Sequence, residues 1–335
     1  MPPLSSKYIG FNEFQTLYHR LERKDIYISS EWLDILVESY QVKLTFLVTI
    51  SQAEILAVTP LLVTKKAILK FVGSPLKGFY SDFMGTAFVK GVPESEREDI
   101  IHSVIESVQN LKPDYSEFRF KDSKYSEIFL QHGYEVVHAA TLIIDTNKSQ
   151  ELLWNSLESR ARNMIRKAEK NGIQVIFSKH RDFDVDEYYQ ILSDTFKRQK
   201  TPLHHPKKFF LSLVNEDNSK YVIPVIAKLG EEIVSAAIFL RFEDTLFYLS
   251  GVSTHQGNQL SASSLIQWKI ITFASDNGIK FYDMGGLGIP NIDKFKMSFG
   301  GYRVQKLFFV KRSWLLRTFE PLAKWLLEKG IIKFR

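Results

Sequence analysis

A chain of 335 residues with 44% hydrophobic content and a net charge of +6 is long enough for one or two globular cores. It holds no cysteine, which excludes disulfides, thiol nucleophiles and thiolate metal sites. No apolar run reaches the roughly 18 residues needed to span a bilayer. The N-terminal Met-Pro-Pro-Leu-Ser-Ser-Lys has no charged segment feeding an apolar one, so no signal peptide is expected and a cytoplasmic location is the default.

Residues 1–145 read as mixed α/β. Helices are predicted near 11–22 and 30–38, then a hairpin of Leu44–Ile50 with Ile55–Val63, then a helix over 96–110. Between hairpin and helix lies a loop, Gly73 to Gly85, rich in Gly, Ser and aromatic residues, which either turns or lines a cleft. Phe118-Arg-Phe120 is a short strand, followed by a helix-like stretch and by Phe129-Leu-Gln-His-Gly-Tyr134.

Asp145-Thr-Asn-Lys-Ser149 begins a second unit, with Ser149 as an N-cap. Leu153, Leu157, Ala161, Met164 and Ala168 recur at helical spacing and predict one long helix that Asn171-Gly172 stops. Arg162, Arg166 and Lys170 share another face, flanked by Arg160 and Lys167; this is either a solvated basic face or an anion-binding one. A helix over 184–198 and a loop to Pro206 follow, bringing Arg198 and Lys200. The pair His204-His205 does not signal a metal, because adjacent side chains diverge and no third spaced ligand accompanies them. Residues 221–252 give three strands, with Tyr248 on the last as a candidate substrate contact.

The polar loop from Ser253 to Ser264 opens a helix over 261–276. A strand feeding such a loop and a helix N-terminus presents backbone N–H groups to an anion, so Gln256, Gly257, Ser261 and Ala262 are candidates for holding a donor phosphate. The strand that ends at Asp283 then runs into Gly285, Gly286 and Gly288. A basic, aromatic segment follows, with Lys294, Phe295, Lys296 and Phe299, and closes at Gly300-Gly301 before a strand from Tyr302 to Lys311. Strand end, bare backbone and paired lysines describe a site for an anionic or oxyanionic group; the plainer alternative is a loop that only turns.

The order of hairpin, amphipathic helix, short strand and Gly-Tyr strand occurs twice, offset by about 165 residues, a spacing of domains and not of solenoid repeats. The first copy lacks the glycines and lysines of the second. The expected division is a cleft-forming domain over 1–145, a chemical domain over 146–312 and a basic tail over 313–335. Residues 303–335, the last strand together with the tail, hold nine Lys/Arg against Glu320 and Glu328, so this end of the chain carries the whole cationic excess. Its Leu315, Phe319, Leu322 and Leu326, flanked by Trp314 and Trp325, form an apolar stripe that either packs on the second domain or lies at a membrane interface.

Four segments carry a resemblance. They are Trp154-x5-Arg160-x-Arg162-x3-Arg166-Lys167-Ala168-x3-Gly172, Leu265-Ile-Gln-Trp-Lys269, Tyr282-Asp-Met-Gly-Gly286 and Phe295-Lys-x-x-Phe-Gly-Gly301. Together they resemble the Fem family of aminoacyltransferases and the BioF2-like acetyltransferase group of the GNAT superfamily. The resemblance implies tandem GNAT-like α/β domains, each a mixed central sheet flanked by helices. It also implies transfer of an acyl or aminoacyl group to an amine of a phosphorylated or lipid-linked cell-envelope precursor. No tightly bound cofactor is expected, the donor being aminoacyl-tRNA or acyl-CoA. Matched by motif, Lys296 faces the reaction centre and Arg198 grips a substrate phosphate, and pooled cations predict Arg162, Arg166 and Lys294 nearby, with Gly285 and Gly286 supplying backbone. Lys296 is then the oxyanion donor, and Asp283 is either the base or a buried carboxylate capping the glycine turn, with His255 as the other candidate base. Two further readings stay open: an acetyl-CoA-dependent N-acetyltransferase acting on a sugar or small amine, and a phospho-ligand binding protein without catalysis.

Overall fold

The computed structural model describes residues 3–40, 42–120 and 124–318. The chain forms two compact units: Met1–His138 rejoined by the chain from Lys306 onward, and Ala139–Gln305.

The first unit begins with β1 (Ser5–Ile9), α1 (Phe11–Tyr18) and α2 (Ser30–Tyr40). Three antiparallel strands follow, β2 (Lys43–Ser51), β3 (Glu54–Lys66) and β4 (Leu69–Ser74). Two-residue loops join them, with Gln52, Ala53 and Ala67 at positive φ, as tight hairpins of this twist require. After β5 (Ala87–Phe88), the helix α3 (Glu94–Asn110) crosses over to β6 (Tyr115–Phe120), which lies parallel to β4. A parallel neighbour cannot be reached by a tight turn, so the chain needs this helical crossover. α4 (Ser126–Gln131) leads into β7 (Glu135–Asp145), which leaves the unit at residue 138.

The second unit repeats the plan. α5 (Gln150–Ser156), α6 (Ser159–Lys170) and β8 (Gln174–Phe177) precede α7 (Val185–Arg198) and α8 (Lys207–Leu213). The antiparallel strands β9 (Val222–Leu229), β10 (Glu232–Phe242) and β11 (Thr245–Ser253) lead into α9 (His255–Gln259) and α10 (Ala262–Asp276). α10 is the crossover to β12 (Phe281–Leu287), which runs parallel to β11. The short α11 (Pro290–Met297) and β13 (Tyr302–Arg312) complete the chain up to the tail.

Each unit therefore holds a mixed sheet with six strands in line, ordered β1-β2-β3-β4-β6-β13 in the first, where β5 also pairs with β3, and β8-β9-β10-β11-β12-β7 in the second. In both, the sixth strand arrives from the other half of the sequence. Leu307 to Arg312 of β13 pair antiparallel with Tyr115 to Phe120 of β6, and Ala140 to Asp145 of β7 pair with β12. The sequence division at 145 and 312 differs from this: β7 from Ala139 belongs to the second unit and β13 from Lys306 to the first. Hydrogen bonding between strands distant in sequence decides the assignment, and local pattern cannot report it.

The long helix predicted from Ser149 to Asn171 is two helices. Ser149 does cap the first, accepting from the Leu152 amide. Leu157 then turns to extended backbone and the Glu158 amide donates to the Ser298 carbonyl at 2.9 Å, which breaks the helical ladder between α5 and α6. β10 is buried along most of its length, in keeping with its continuous Ile-Val-Ser-Ala-Ala-Ile-Phe-Leu run. The core packs Val225, Ala237, Phe239 and Leu246 from the sheet against Ile266, Ile270 and Ile271 of α10, with Ala161 and Ile165 of α6 in the same cluster. Among the described residues no helix is long and apolar enough to cross a membrane. Residues 314–318 of the tail are helical and Trp314 is exposed; Phe319, Leu322, Trp325 and Leu326 lie outside the described residues.

Candidate active site

In the second unit β11 and β12 pair only from Thr245–Phe247 to Phe281–Asp283. Just beyond that pairing both strands bulge. In β11 the register against β10 shifts so that Leu249 is an extra residue between Tyr248 and Ser250. In β12 the register against β7 shifts between Asp283 and Gly286. A bulge bends its strand and frees backbone groups from the ladder, and here the two strands part. The space between them is a cavity of about 540 Å³ bordered by residues 248–253 of β11 and by Gly285 and Gly286 of β12.

Lys296 closes one side of this cavity. It comes from α11, which begins with Pro290 at its first turn and is held at its N-terminus by Asp293, whose carboxylate accepts from the Gly288 and Ile289 amides at 3.0 and 3.2 Å. Ile292 and Lys296 are one turn apart, so both reach the cavity, together with Phe295. Lys296 is 7% exposed, and its ammonium donates to the Gly286 carbonyl at 2.7 Å. Gly285 has φ +79°, and a Cβ there would sit 3.6 Å from the Lys296 Nζ. That distance would leave room for a side chain, so it is the left-handed backbone beside the ammonium that calls for glycine.

Arg198 stands in the last turn of α7, whose N-terminus is capped by Asp184. Its guanidinium donates to the Ser253 carbonyl at 2.9 Å and to the Thr195 hydroxyl at 3.0 Å, which fixes it beside the end of β11 at the same cavity. Tyr248, Ser250, Ser253, Asn258 and Ser263 add hydroxyl and amide groups to the lining. Below them the buried Tyr188 donates to the Ser250 hydroxyl at 2.7 Å. The lining contains two cations and no carboxylate or histidine. Such a cavity favours an anion or a developing oxyanion.

Of the residues singled out from sequence, Lys296, Arg198, Tyr248, Gly285 and Gly286 meet here. The others do not line the cavity. Arg162 turns back on its own helix start, donating to the Leu157 carbonyl and to the Ser159 hydroxyl. Arg166 lies over the Trp154 ring, 5.4 Å from its centre, and Trp154 in turn meets Trp268 edge-on. The pooling of Arg162 or Arg166 with Arg198 is therefore corrected: the break at Leu157–Glu158 commits these arginines to α6 and its neighbours. Lys294 is exposed on the outer side of α11. His255 is exposed and stands outside the lining.

The donor-phosphate candidates are also placed differently from expectation. Gln256 and Gly257 belong to the short helix α9, Gln256 exposed and Gly257 buried against the Val234 carbonyl, its amide taken by the Thr254 hydroxyl at 3.0 Å. Ser261 adopts left-handed backbone and Ala262 starts α10 fully buried. Their neighbours Asn258 and Ser263 are the members of this loop that reach the cavity. Sequence reading found the loop but not those two side chains, since a short helix inside it sets which ones turn inward.

Asp283 is 5% exposed. Its carboxylate accepts from the Gly285 amide at 2.8 Å and from the Thr141 hydroxyl. Of the two roles open to it, the geometry is that of a cap on the glycine turn. Beside it Tyr282 is fully buried and donates to Gln267 at 2.5 Å; burial holds its phenol well above the ordinary tyrosine range. Among the described residues no group of three or more His, Asp or Glu is placed to hold a metal ion.

No curated protein matches the chain. Residues 155–297 match the protein family described as "Acetyltransferase (GNAT) domain". Among solved structures, the fold is similar to that of FemX, with TM-score 0.63 and 13% identity, over 90% of this chain and 96% of that one. It is similar to the C-terminal domain (DUF2156) of a candidate lysylphosphatidylglycerol synthetase from Agrobacterium fabrum, with TM-score 0.62 and 11% identity, over 95% and 98% of the two chains. It is also similar to a tandem GNAT protein from the clavulanic acid biosynthesis pathway, with TM-score 0.60 and 9% identity, over 92% and 98%. The parted parallel strands, the crossover helix between them and the family match over 155–297 identify this segment as an acyltransferase domain of the GNAT type.

Proposed function

We propose that the second unit transfers an acyl or aminoacyl group to the amine of a phosphorylated cell-envelope precursor. The observation that carries this reading is the pairing of a buried lysine and a fixed arginine on one cavity that has no acid in its lining. Aminolysis of an acyl ester or thioester needs the amine aligned on the carbonyl and the tetrahedral oxyanion stabilised. Lys296, desolvated and held by the Gly286 carbonyl, supplies the second. Arg198, at the end of β11, supplies a fixed cation for a phosphate and so orients the acceptor. The names of the FemX and lysylphosphatidylglycerol synthetase structures favour an aminoacyl group and an envelope acceptor. The Gly257 amide is taken by the Thr254 hydroxyl and so is not available to a donor phosphate, which leaves aminoacyl-tRNA and acyl-CoA both open as donors.

The test is a single-turnover assay of the purified chain with aminoacyl-tRNA or acetyl-CoA as donor and a UDP-linked muropeptide as acceptor. Deacylated tRNA with a modified peptide supports the reading. Free CoA with an acetylated sugar or amine selects the acetyltransferase alternative. Binding of the muropeptide with neither donor consumed leaves a phospho-ligand binding protein.

A further inference from the structure

Thr141 and Asp283 lie on neighbouring strands, on either side of the bulge in β12. Thr141 is the residue of β7 paired with Gly286, the first residue after the bulge. Its hydroxyl donates to the same Asp283 oxygen that accepts from the Gly285 amide. Gly286 then offers its carbonyl to the Lys296 ammonium at 2.7 Å. The three hydrogen bonds form one continuous run: Thr141 hydroxyl, Asp283 carboxylate, Gly285 amide, and through one peptide unit the Gly286 carbonyl and Lys296. Every side chain in the run is buried, Thr141 at 0%, Asp283 at 5% and Lys296 at 7% exposure.

We propose that Asp283 and Thr141 are positioning residues for Lys296, and that the bulge they lock is the device that aims the ammonium into the cavity. This rests on the reading of Lys296 as the oxyanion donor. The physical reason lies in the glycines. Gly285 at φ +79° and Gly286 have no side chains to anchor them, and two adjacent glycines leave the backbone free to take other conformations. A carbonyl that must point a lysine needs a fixed backbone, and the carboxylate helps supply it by holding the Gly285 amide, one peptide unit away from the one that carries the Gly286 carbonyl. Thr141 in turn fixes the carboxylate, since its hydroxyl takes the lone pair that water would otherwise compete for. Asp283 is accordingly not the group that receives the proton of the amine.

Two readouts test this, one of which needs no substrate. Labelling of lysines with acetic anhydride, followed by peptide mass spectrometry, reports the accessibility of Lys296, with the exposed Lys294 as internal reference. Asp283→Ala is expected to raise Lys296 labelling at least about fivefold, because a loosened turn lets the ammonium reach solvent. Thr141→Val, which is gentler and keeps the fold if Asp283→Ala does not, is expected to raise it about twofold. Asp283→Asn keeps an oxygen for the Gly285 amide and is expected to restore protection. Unchanged labelling in Asp283→Ala and Thr141→Val overturns the proposal; so does an Asn variant as exposed as the Ala one, since charge alone would then hold Lys296.

The second readout uses acyl transfer. Asp283→Ala is expected to lower kcat about 30-fold with KM little changed, and to add almost nothing in a Lys296→Ala background, because residues acting as one unit are not additive. The pH profile of Asp283→Asn is expected to keep the acidic limb of the parent enzyme; loss of that limb would make Asp283 the base and end the proposal. If no transfer is found at all, the labelling result still stands or falls by itself, so failure of the functional reading and failure of this one are separate events.

Discussion

The hydroxyl of Tyr248 lies over Gly251, in the space that a Cβ at position 251 would occupy. Both residues belong to β11, on either side of the bulge at Leu249, and both line the cavity. A glycine three residues on thus lets the phenol fold back along its own strand.

Gly251→Ala is expected to push that ring away and reshape the cavity at small cost in stability, about 1 kcal/mol, because the obstacle is the far end of a side chain. Gly257→Ala meets the Val234 backbone carbonyl, which cannot swing aside, and is expected to cost about 3 kcal/mol. Urea titration of the two variants checks the order. A Gly251→Ala loss as large as that of Gly257→Ala would show that Tyr248 is as immobile as the backbone.

Lys296→Ala removes the cation at the parted strands. The expected loss is about 100-fold in kcat, near 3 kcal/mol in the barrier, with KM within about threefold of the parent value. A rise in KM at constant kcat would assign Lys296 to ground-state binding.

Arg198→Gln is expected to raise KM for a phosphorylated acceptor about tenfold, and much less for an acceptor fragment lacking phosphate. The contrast between the two acceptors matters, because the substitution also removes the bond to the Ser253 carbonyl and with it part of the anchoring of α7. Equal effects on both acceptors would place Arg198 among the structural contacts.

His205 titrates abnormally. Burial, aided by the neighbouring His204, lowers its pKa to about 4. A histidine whose folded pKa lies below the unfolded value of about 6.5 binds fewer protons when folded, so stability rises with pH through that interval. The native state is expected to lose about 3 kcal/mol as pH falls from above 6.5 toward 4. His205→Gln should flatten that slope in urea titrations at pH 7 and pH 4.5. An unchanged slope would place the acid sensitivity elsewhere.

Shortening the chain before residue 319 removes Lys324, Lys329, Lys333 and Arg335 together with Glu320 and Glu328. Co-sedimentation with anionic vesicles is expected to fall by at least about half, each cation near such a surface contributing on the order of 1 kcal/mol. Equal sedimentation of both chains, or none by the full chain, would rule out a membrane role for this segment.

Local pattern in the sequence was enough for the hairpins, both crossover helices and the run from Asp283 through the glycines to Lys296, because burial periodicity, turn residues and bare glycines are properties of neighbours along the chain. Arg198 and Lys296, 98 residues apart, were each legible as cations near strand or helix ends. Tertiary structure alone decided that they share a cavity while Arg162 and Arg166 do not: the backbone is extended at Leu157 and Glu158, where the Glu158 amide binds the Ser298 carbonyl, and the two arginines are engaged by the Leu157 carbonyl and the Trp154 ring. It also decided the exchange of β7 and β13 between the two sheets, and the pairing of Thr141 with Asp283 across 142 positions. Strand partners and buried polar contacts of this kind are chosen by the whole fold, through which backbone edges remain open and which carboxylate can be satisfied away from water, and no stretch of sequence carries that information by itself.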